Sequence, residues 1–179
     1  MFYISEIKNT APEKFKTELQ RKVYAILNEL GIAYERVETD EAITMEDCVL
    51  INDKLNMKMV KTLFLCNRQK TDFYLFITTA DKPFNSKELS NKLNISRLSF
   101  APAELLEEML GTKIGSATIF SALLDEENKV KILLDKDVTT EEHYGCSDGT
   151  TTGYMKIKTE CITRDFLEYA SHKAIIVTV

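Results

Sequence analysis

Residues 54–79, KLNMKMVKTLFLCNRQKTDFYLFITT, decide the fold, because they join the most basic run of the chain to its two most apolar segments. Residues 62–66 and 73–79 are rich in aromatic and aliphatic side chains on both faces. They are separated by the polar group Asn67-Arg68-Gln69-Lys70, so the pattern predicts two paired strands at the centre of a sheet. Lys54, Lys58, Lys61, Arg68 and Lys70 fall within 17 residues that contain no Asp or Glu, in a chain of formal charge -5. That local reversal of sign makes Lys61, expected at the sheet rim, a candidate anion contact. A solvated lysine at a strand end is the simpler reading of the same residue.

Working outward, helical and strand signals alternate along the 179 residues. Thr10, Pro12 and Glu13 form a helix-start signature, and Phe15, Leu19, Val23, Ile26, Leu27 and Leu30 recur at helical spacing up to Gly31, so a helix is expected over 12–30. A strand is expected over 32–38, and Thr44 with Glu46 and Asp47 opens a second helix. Asn85 and Glu88 frame a short helix ending near Leu93, a short strand covers 97–101, and Pro102 opens a helix that Gly111 stops. Residues 117–124 and 130–134 are expected as strands around a charged turn. A helix over 160–171 and a strand over 174–179 close the chain. The expectation is one α/β domain, residues 1–179, with a mixed central sheet surrounded by helices.

Composition narrows the function classes. The chain is 44% hydrophobic and 28% charged, ordinary for a soluble globular protein. No apolar run reaches the ~20 residues of a membrane helix and no signal peptide is recognisable, so a cytoplasmic protein without membrane contact is expected. Cys48, Cys66, Cys146 and Cys161 form no C-x-x-C pair, and only His143 and His172 accompany them, so neither a metal site nor another cofactor is expected. An acidic chain does not wrap DNA, although a partner presenting one nucleotide end is compatible with it.

Two glycine-containing stretches are the candidate chemistry: residues 111–118, GTKIGSAT, and residues 145–153, GCSDGTTTG. Neither is a phosphate-binding P-loop or a dinucleotide fingerprint. Successive small residues let backbone N–H groups face a ligand, as an oxyanion-type pocket requires, and turn-forming glycines account for the same pattern. No nucleophile motif accompanies either histidine, so no serine-hydrolase triad is read.

The order of Val60-Lys61-Thr62-Leu63-Phe64-Leu65, Arg97-Leu98-Ser99-Phe100-Ala101, Leu110-Gly111-x-x-x-Gly115-Ser116 and the late Gly/Thr-rich stretch resembles the YbaK/prolyl-tRNA editing family. The resemblance runs from about Val23 to Leu167. It implies a YbaK-like domain that deacylates mischarged proline tRNA, most often carrying alanine or cysteine, with a tRNA acceptor end (aminoacyl-adenosine) as partner and prolyl-tRNA synthetase as a second candidate partner. It also implies that Lys61 contacts the terminal phosphate or ribose and that Gly115 and Ser116 act with it as the catalytic group. Thr44, Ala117, Thr118, Ile119, Ser147, Thr151 and Thr152 would line the substrate pocket, and Lys54 and Lys58 would touch the tRNA. The chain departs from the family pattern at Thr39, where histidine is frequent, and at Ile119, where proline is common. Ser147-Asp148 replaces His-Pro, and Thr151-Thr152 replaces Asn-Thr. A protein that keeps the pocket as a binding site with little hydrolysis is the alternative these departures imply.

Overall fold

A computed structural model describes residues 1–42 and 44–179. In chain order the elements are α1 (Glu18–Glu29), β1 (Tyr34–Glu38), α2 (Met45–Leu55), β2 (Val60–Cys66), β3 (Phe73–Thr79), α3 (Ser86–Leu93), β4 (Ser99–Phe100), α4 (Ala103–Leu110), a 3-10 helix (Ile119–Leu124), β5 (Val130–Asp135), α5 (Lys136–Thr139), β6 (His143–Ser147), β7 (Gly153–Lys158), a π-helical stretch (Cys161–Phe166) running into α6 (Leu167–Tyr169), and β8 (Ala174–Val177).

The fold is α/β, built on a five-stranded mixed sheet in the order β4-β2-β3-β5-β8. β2 and β3 pair antiparallel as expected, with Val60 opposite Thr79 and Cys66 opposite Phe73, and β5 and β8 add in parallel. Alternation along the strands divides the core in two. Phe64, Leu75, Ile77, Ile132 and Leu134 meet Leu19, Val23 and Leu27 of α1 and Ile119 and Phe120 of the 3-10 helix. Leu65, Tyr74, Phe76 and Leu133 meet Leu89 and Leu98 on the other face. Both faces being buried is why these strands carry unbroken apolar runs.

The expected single sheet is accompanied by a second, three-stranded antiparallel sheet in the order β1-β7-β6. Residues 145–147 belong to β6 and Gly153 begins β7, so the late glycine-rich stretch is a hairpin with 148–152 as its turn. Its Gly and Thr content reads as loop, but the strand is set by pairing partners far along the chain, such as Tyr34 opposite Ile157. A parallel bridge between Met59 and Gly145 connects the start of β2 to β6.

Two further expectations are corrected. The first helix begins at Glu18, because Thr17, not Thr10, supplies the cap by accepting the Gln20 N–H at 3.0 Å. The preceding segment is drawn onto the edge of β1 instead: Lys8 and Arg36 exchange backbone bonds of 2.9 and 2.8 Å, and the Arg36 Nε donates to the Thr10 carbonyl. Residues expected as a strand over 117–124 form the 3-10 helix. Thr118 caps it by accepting the Phe120 N–H, and the Ser121 hydroxyl donates to the Leu110 carbonyl at 2.7 Å, local bonds that compete with a sheet ladder. Ile119 and Phe120 are wholly buried, so an apolar run there carries no strand period to read. The expected Thr44 cap is present, with Asp47 completing a capping box.

Asp135 closes the ends of β3 and β5. It is buried; its Oδ2 accepts from the Thr78 hydroxyl at 2.6 Å and the Lys82 Nζ at 2.9 Å, and its Oδ1 accepts the Asp137 N–H at 3.0 Å. Burial alone would raise this carboxyl, but the bonds from Lys82, Thr78 and Asp137 outweigh it and hold Asp135 below the usual carboxylate range.

Two outcomes are expected. Phe120→Ala, which removes the edge-to-face partner of Phe166, should cost about 3–5 kcal/mol in urea unfolding. The depressed Asp135 carboxyl contributes stability that is complete above its unfolded value near ~4 and is lost as pH falls through its lower folded value. Asp135→Asn should therefore lower stability at pH 7 and flatten the acid limb of the stability–pH curve.

Candidate functional site

Residues 111–118 and the β6–β7 turn meet directly. Thr118 donates its hydroxyl to the Ser147 carbonyl at 3.0 Å, and Leu19 of α1 packs beneath both Gly111 and Gly149. Gly115 stands at φ +93 with open space where a Cβ would point, so the crest of the loop presents bare backbone. Among the described residues, no internal acceptor takes the N–H of Gly115 or Ala117. Ser116 is turned inward, its hydroxyl accepting the Lys113 N–H and donating to the Lys113 carbonyl.

The other hydroxyls of the predicted pocket are engaged in the same way. Ser147 donates to the Thr150 carbonyl at 2.6 Å and accepts the Gly149 N–H at 3.0 Å. Thr44 accepts the Asp47 N–H, Thr151 donates to the Glu41 carboxylate at 3.2 Å, and Thr152 accepts from the Lys16 Nζ at 2.5 Å. The Ala42 N–H donates to the Thr151 carbonyl at 3.4 Å, which brings the approach to Thr44 alongside this turn. Ile119 lies in the core under the glycine loop. What this group of residues can offer a ligand is therefore chiefly its backbone N–H groups.

Behind the turn sits Asp148, which the sequence pattern marks only as a departure. It is 1% exposed; its Oδ2 accepts from the Gln20 Nε2 at 2.9 Å and the Tyr24 hydroxyl at 2.8 Å, and its Oδ1 from the N–H and hydroxyl of Thr150 at 3.1 and 2.7 Å. All four partners are donors, as an acceptor-only carboxylate requires. A Cβ at Gly153 would strike the Asp148 carboxylate, so only glycine fits there. Burial, followed by the negative Asp148, pushes the Tyr24 hydroxyl far above its ordinary range, and the same two causes push the Cys146 thiol well up. Cys146 therefore stays protonated and is no nucleophile near neutral pH.

Lys61 forms a separate cluster. It is the second residue of β2, opposite Thr78, and its Nζ donates to the Lys82 carbonyl. Its strand neighbours Val60 and Phe64 pack on the core that holds Ile119 and Phe120, while Leu63 packs on the opposite one, so Lys61 projects to the face away from the 3-10 helix. Among the described residues no hydrogen bond joins it to the glycine loop. Beside it stand Thr78, Lys82 and Asp135, a polar group the sequence reading did not single out. No motif announces them, because they come from three segments joined only by strand register.

Lys54 and Lys58, free of acids in the sequence, are paired in space: Lys54 with Glu6 at 3.5 Å and Lys58 with Glu141 at 3.0 Å. A different group of cations gathers beside the N-terminal segment. A cleft of about 700 Å³ between the N-terminal segment and the β6–β7 turn is lined by Lys8, Lys14, Lys16 and Arg36 as well as Thr39 and Thr152.

Residues 39–164 match the family model of the aminoacyl-tRNA editing domain. Over 121 residues the chain is 31% identical to the prolyl-tRNA editing protein ProX of Acetoanaerobium sticklandii, covering 68% of this chain and 74% of that protein. Over 163 residues it is 29% identical to prolyl-tRNA synthetase associated domain-containing protein 1 of Danio rerio, covering 90% of this chain and 88% of that one. A solved structure described as a candidate trans-editing enzyme for prolyl-tRNA synthetase shares the fold at TM-score 0.63 and 14% identity, over 92% of this chain and 99% of that one. On the match of its sequence from Thr39 to Arg164, the chain belongs to the aminoacyl-tRNA editing domain family.

Proposed function

We propose that this protein is a trans-editing hydrolase that removes a wrongly attached amino acid, alanine before others, from proline tRNA in the cytoplasm. The observation that carries this reading is the pair of free N–H groups at Gly115 and Ala117, on a loop held in place by the Thr118 to Ser147 bond. The substrate bond is an ester, already activated, so positioning and charge stabilisation can take the place of a protein nucleophile. Water adds to the ester carbonyl, the Gly115 and Ala117 N–H groups bind the oxygen as it gains negative charge, and the bond to the ribose oxygen breaks. The departing ribose oxygen takes a proton, releasing free amino acid and intact tRNA. Lys61, which the family resemblance assigns to the terminal phosphate or ribose, lies across the sheet from Gly115 and Ala117 and donates to the Lys82 carbonyl, so it is left out of the ester site, while Lys54 and Lys58 trade their carboxylates for more distant phosphates. Prolyl-tRNA synthetase is the natural source of the substrate.

Selectivity rests on exclusion. Recognition of one methyl group is worth only about 1–3 kcal/mol, whereas a pocket too narrow for the pyrrolidine ring rejects prolyl-tRNA outright. A second reading, binding without turnover, draws support from the internal engagement of the Ser147 hydroxyl where a histidine is frequent in the family.

Purified protein incubated with alanyl-, cysteinyl- and prolyl-tRNA(Pro) should release alanine fastest and leave proline attached. Tight binding of all three without release would favour the second reading, and neither binding nor release would overturn both. Lys61→Ala should change deacylation less than about threefold and unfolding by only ~1 kcal/mol, since one half-exposed hydrogen bond across the sheet from the loop is lost; a tenfold slowing would instead put Lys61 at the substrate. Gly115→Ala should slow the chemical step, because a Cβ at φ +93 costs ~1–3 kcal/mol and turns the donors. The check is kcat measured beside the urea midpoint.

A further inference from the structure

The cleft beside the β6–β7 turn is built mostly from residues that precede the segment matched by the family model, joined by Thr39, Thr152 and Gly153 from within it, and its charge differs from that of the whole chain. Lys8, Lys14, Lys16 and Arg36 line it against two acids, Glu13 and Glu38. Glu38 is shared by Lys8 at 3.5 Å and Arg36 at 2.9 Å, leaving one cation of that group in excess. Among the described residues, Lys14 and Lys16 have no carboxylate partner, and Lys16 reaches only the Thr152 hydroxyl. Arg36 is 3% exposed and fixed by Glu38 and the Thr10 carbonyl, so the cleft wall is preorganised. The first turn of α1, capped by Thr17, opens at the same place and adds its positive dipole end.

The position of the cleft is as informative as its charge. The β6–β7 turn has the glycine loop on one side, through Thr118 and Ser147, and the cleft on the other, through Lys16 and Thr152. A chain whose end lies at the glycine loop and whose next few phosphates cross this turn would arrive among Lys16, Lys14 and Lys8.

We propose that this N-terminal cleft binds RNA phosphates just upstream of the aminoacylated end, with Lys14 and Lys16 as the principal contacts. The inference rests on the editing reading for the direction of the strand. Its test uses uncharged tRNA, so that the two can fail separately. Single cationic contacts to phosphate release counterions, and each lowers the slope of log K against log[salt] by about 0.7–0.9. Lys14→Ala/Lys16→Ala should therefore flatten that slope by about 1.5 for the full-length protein binding tRNA, and weaken binding about tenfold near physiological salt. In deacylation it should raise KM with kcat nearly unchanged. Lys92→Ala, in the last turn of α3, serves as the surface-charge control and should alter neither.

Failure to deacylate any aminoacyl-tRNA, with the salt slope still dependent on Lys14 and Lys16, would sink the enzymatic reading and leave the cleft assigned. An unchanged slope and affinity in the double variant would overturn the cleft assignment whatever the activity. Titration with inorganic phosphate followed by amide NMR separates the sources. Saturation at the cleft by phosphate alone, with tRNA affinity indifferent to the two lysines, would make it a free-anion site and overturn the RNA proposal.

Discussion

The carboxylate of Asp148 is a charge taken out of water, and the arrangement around the candidate site follows from satisfying it. Two of its donors, Gln20 and Tyr24, lie on α1, while Thr150 supplies the others from the same turn. A buried charge that loses a partner is penalised far more than an exposed one, so these bonds tie α1 to the β6–β7 hairpin with little tolerance for displacement. Gly153 must lack a side chain because the carboxylate occupies its space. The same helix places Leu19 beneath the glycine loop and Tyr24 against Arg36, which in turn anchors the N-terminal segment. One buried carboxylate in the hairpin thus sets the relation between three parts of the molecule.

This economy has a chemical consequence. Ser116, Thr118 and Ser147 sit where reactive or substrate-binding hydroxyls would be sought, yet each is engaged in bonds that shape a turn. The groups left over are amides, which neither titrate nor need activation. That suits hydrolysis of an ester whose own reactivity is high and whose transition state differs from the ground state mainly by charge on one oxygen. Cys146, held protonated by burial and by Asp148, is kept out of the chemistry by the same electrostatics.

An acidic chain is compatible with an RNA ligand once charge is considered locally. The net charge of -5 describes the whole surface, whereas phosphate affinity depends on cations without carboxylate partners within a Debye length of about 8–10 Å. Lys54 and Lys58 of the acid-free run are paired in space with Glu6 and Glu141, whereas among the described residues Lys14 and Lys16 in the N-terminal cleft have no carboxylate partner.

Local sequence specified the central hairpin, because two short apolar runs rich in aromatic and aliphatic residues, split by a polar tetrapeptide, bury both faces as paired strands. It also determined the caps at Thr44 and Asn85 and the end of α4 at Gly111, where signals are local and read within four residues. The family motifs around Lys61 and Gly115 were legible for the same reason. Long-range packing settled that residues 119–124 coil instead of extending, that Gly145 and Gly153 lie in strands, and that Lys61 and the glycine loop face different sides of the sheet. Pairing partners more than a hundred residues away, such as Tyr34 and Ile157, determine strand identity there, and local propensity cannot register them. By sequence Asp148 is an acid in a Gly/Thr-rich stretch, marked only as a departure from the family pattern. It is a core residue because the donors that make its burial tolerable, Gln20 and Tyr24, arrive from the opposite end of the chain.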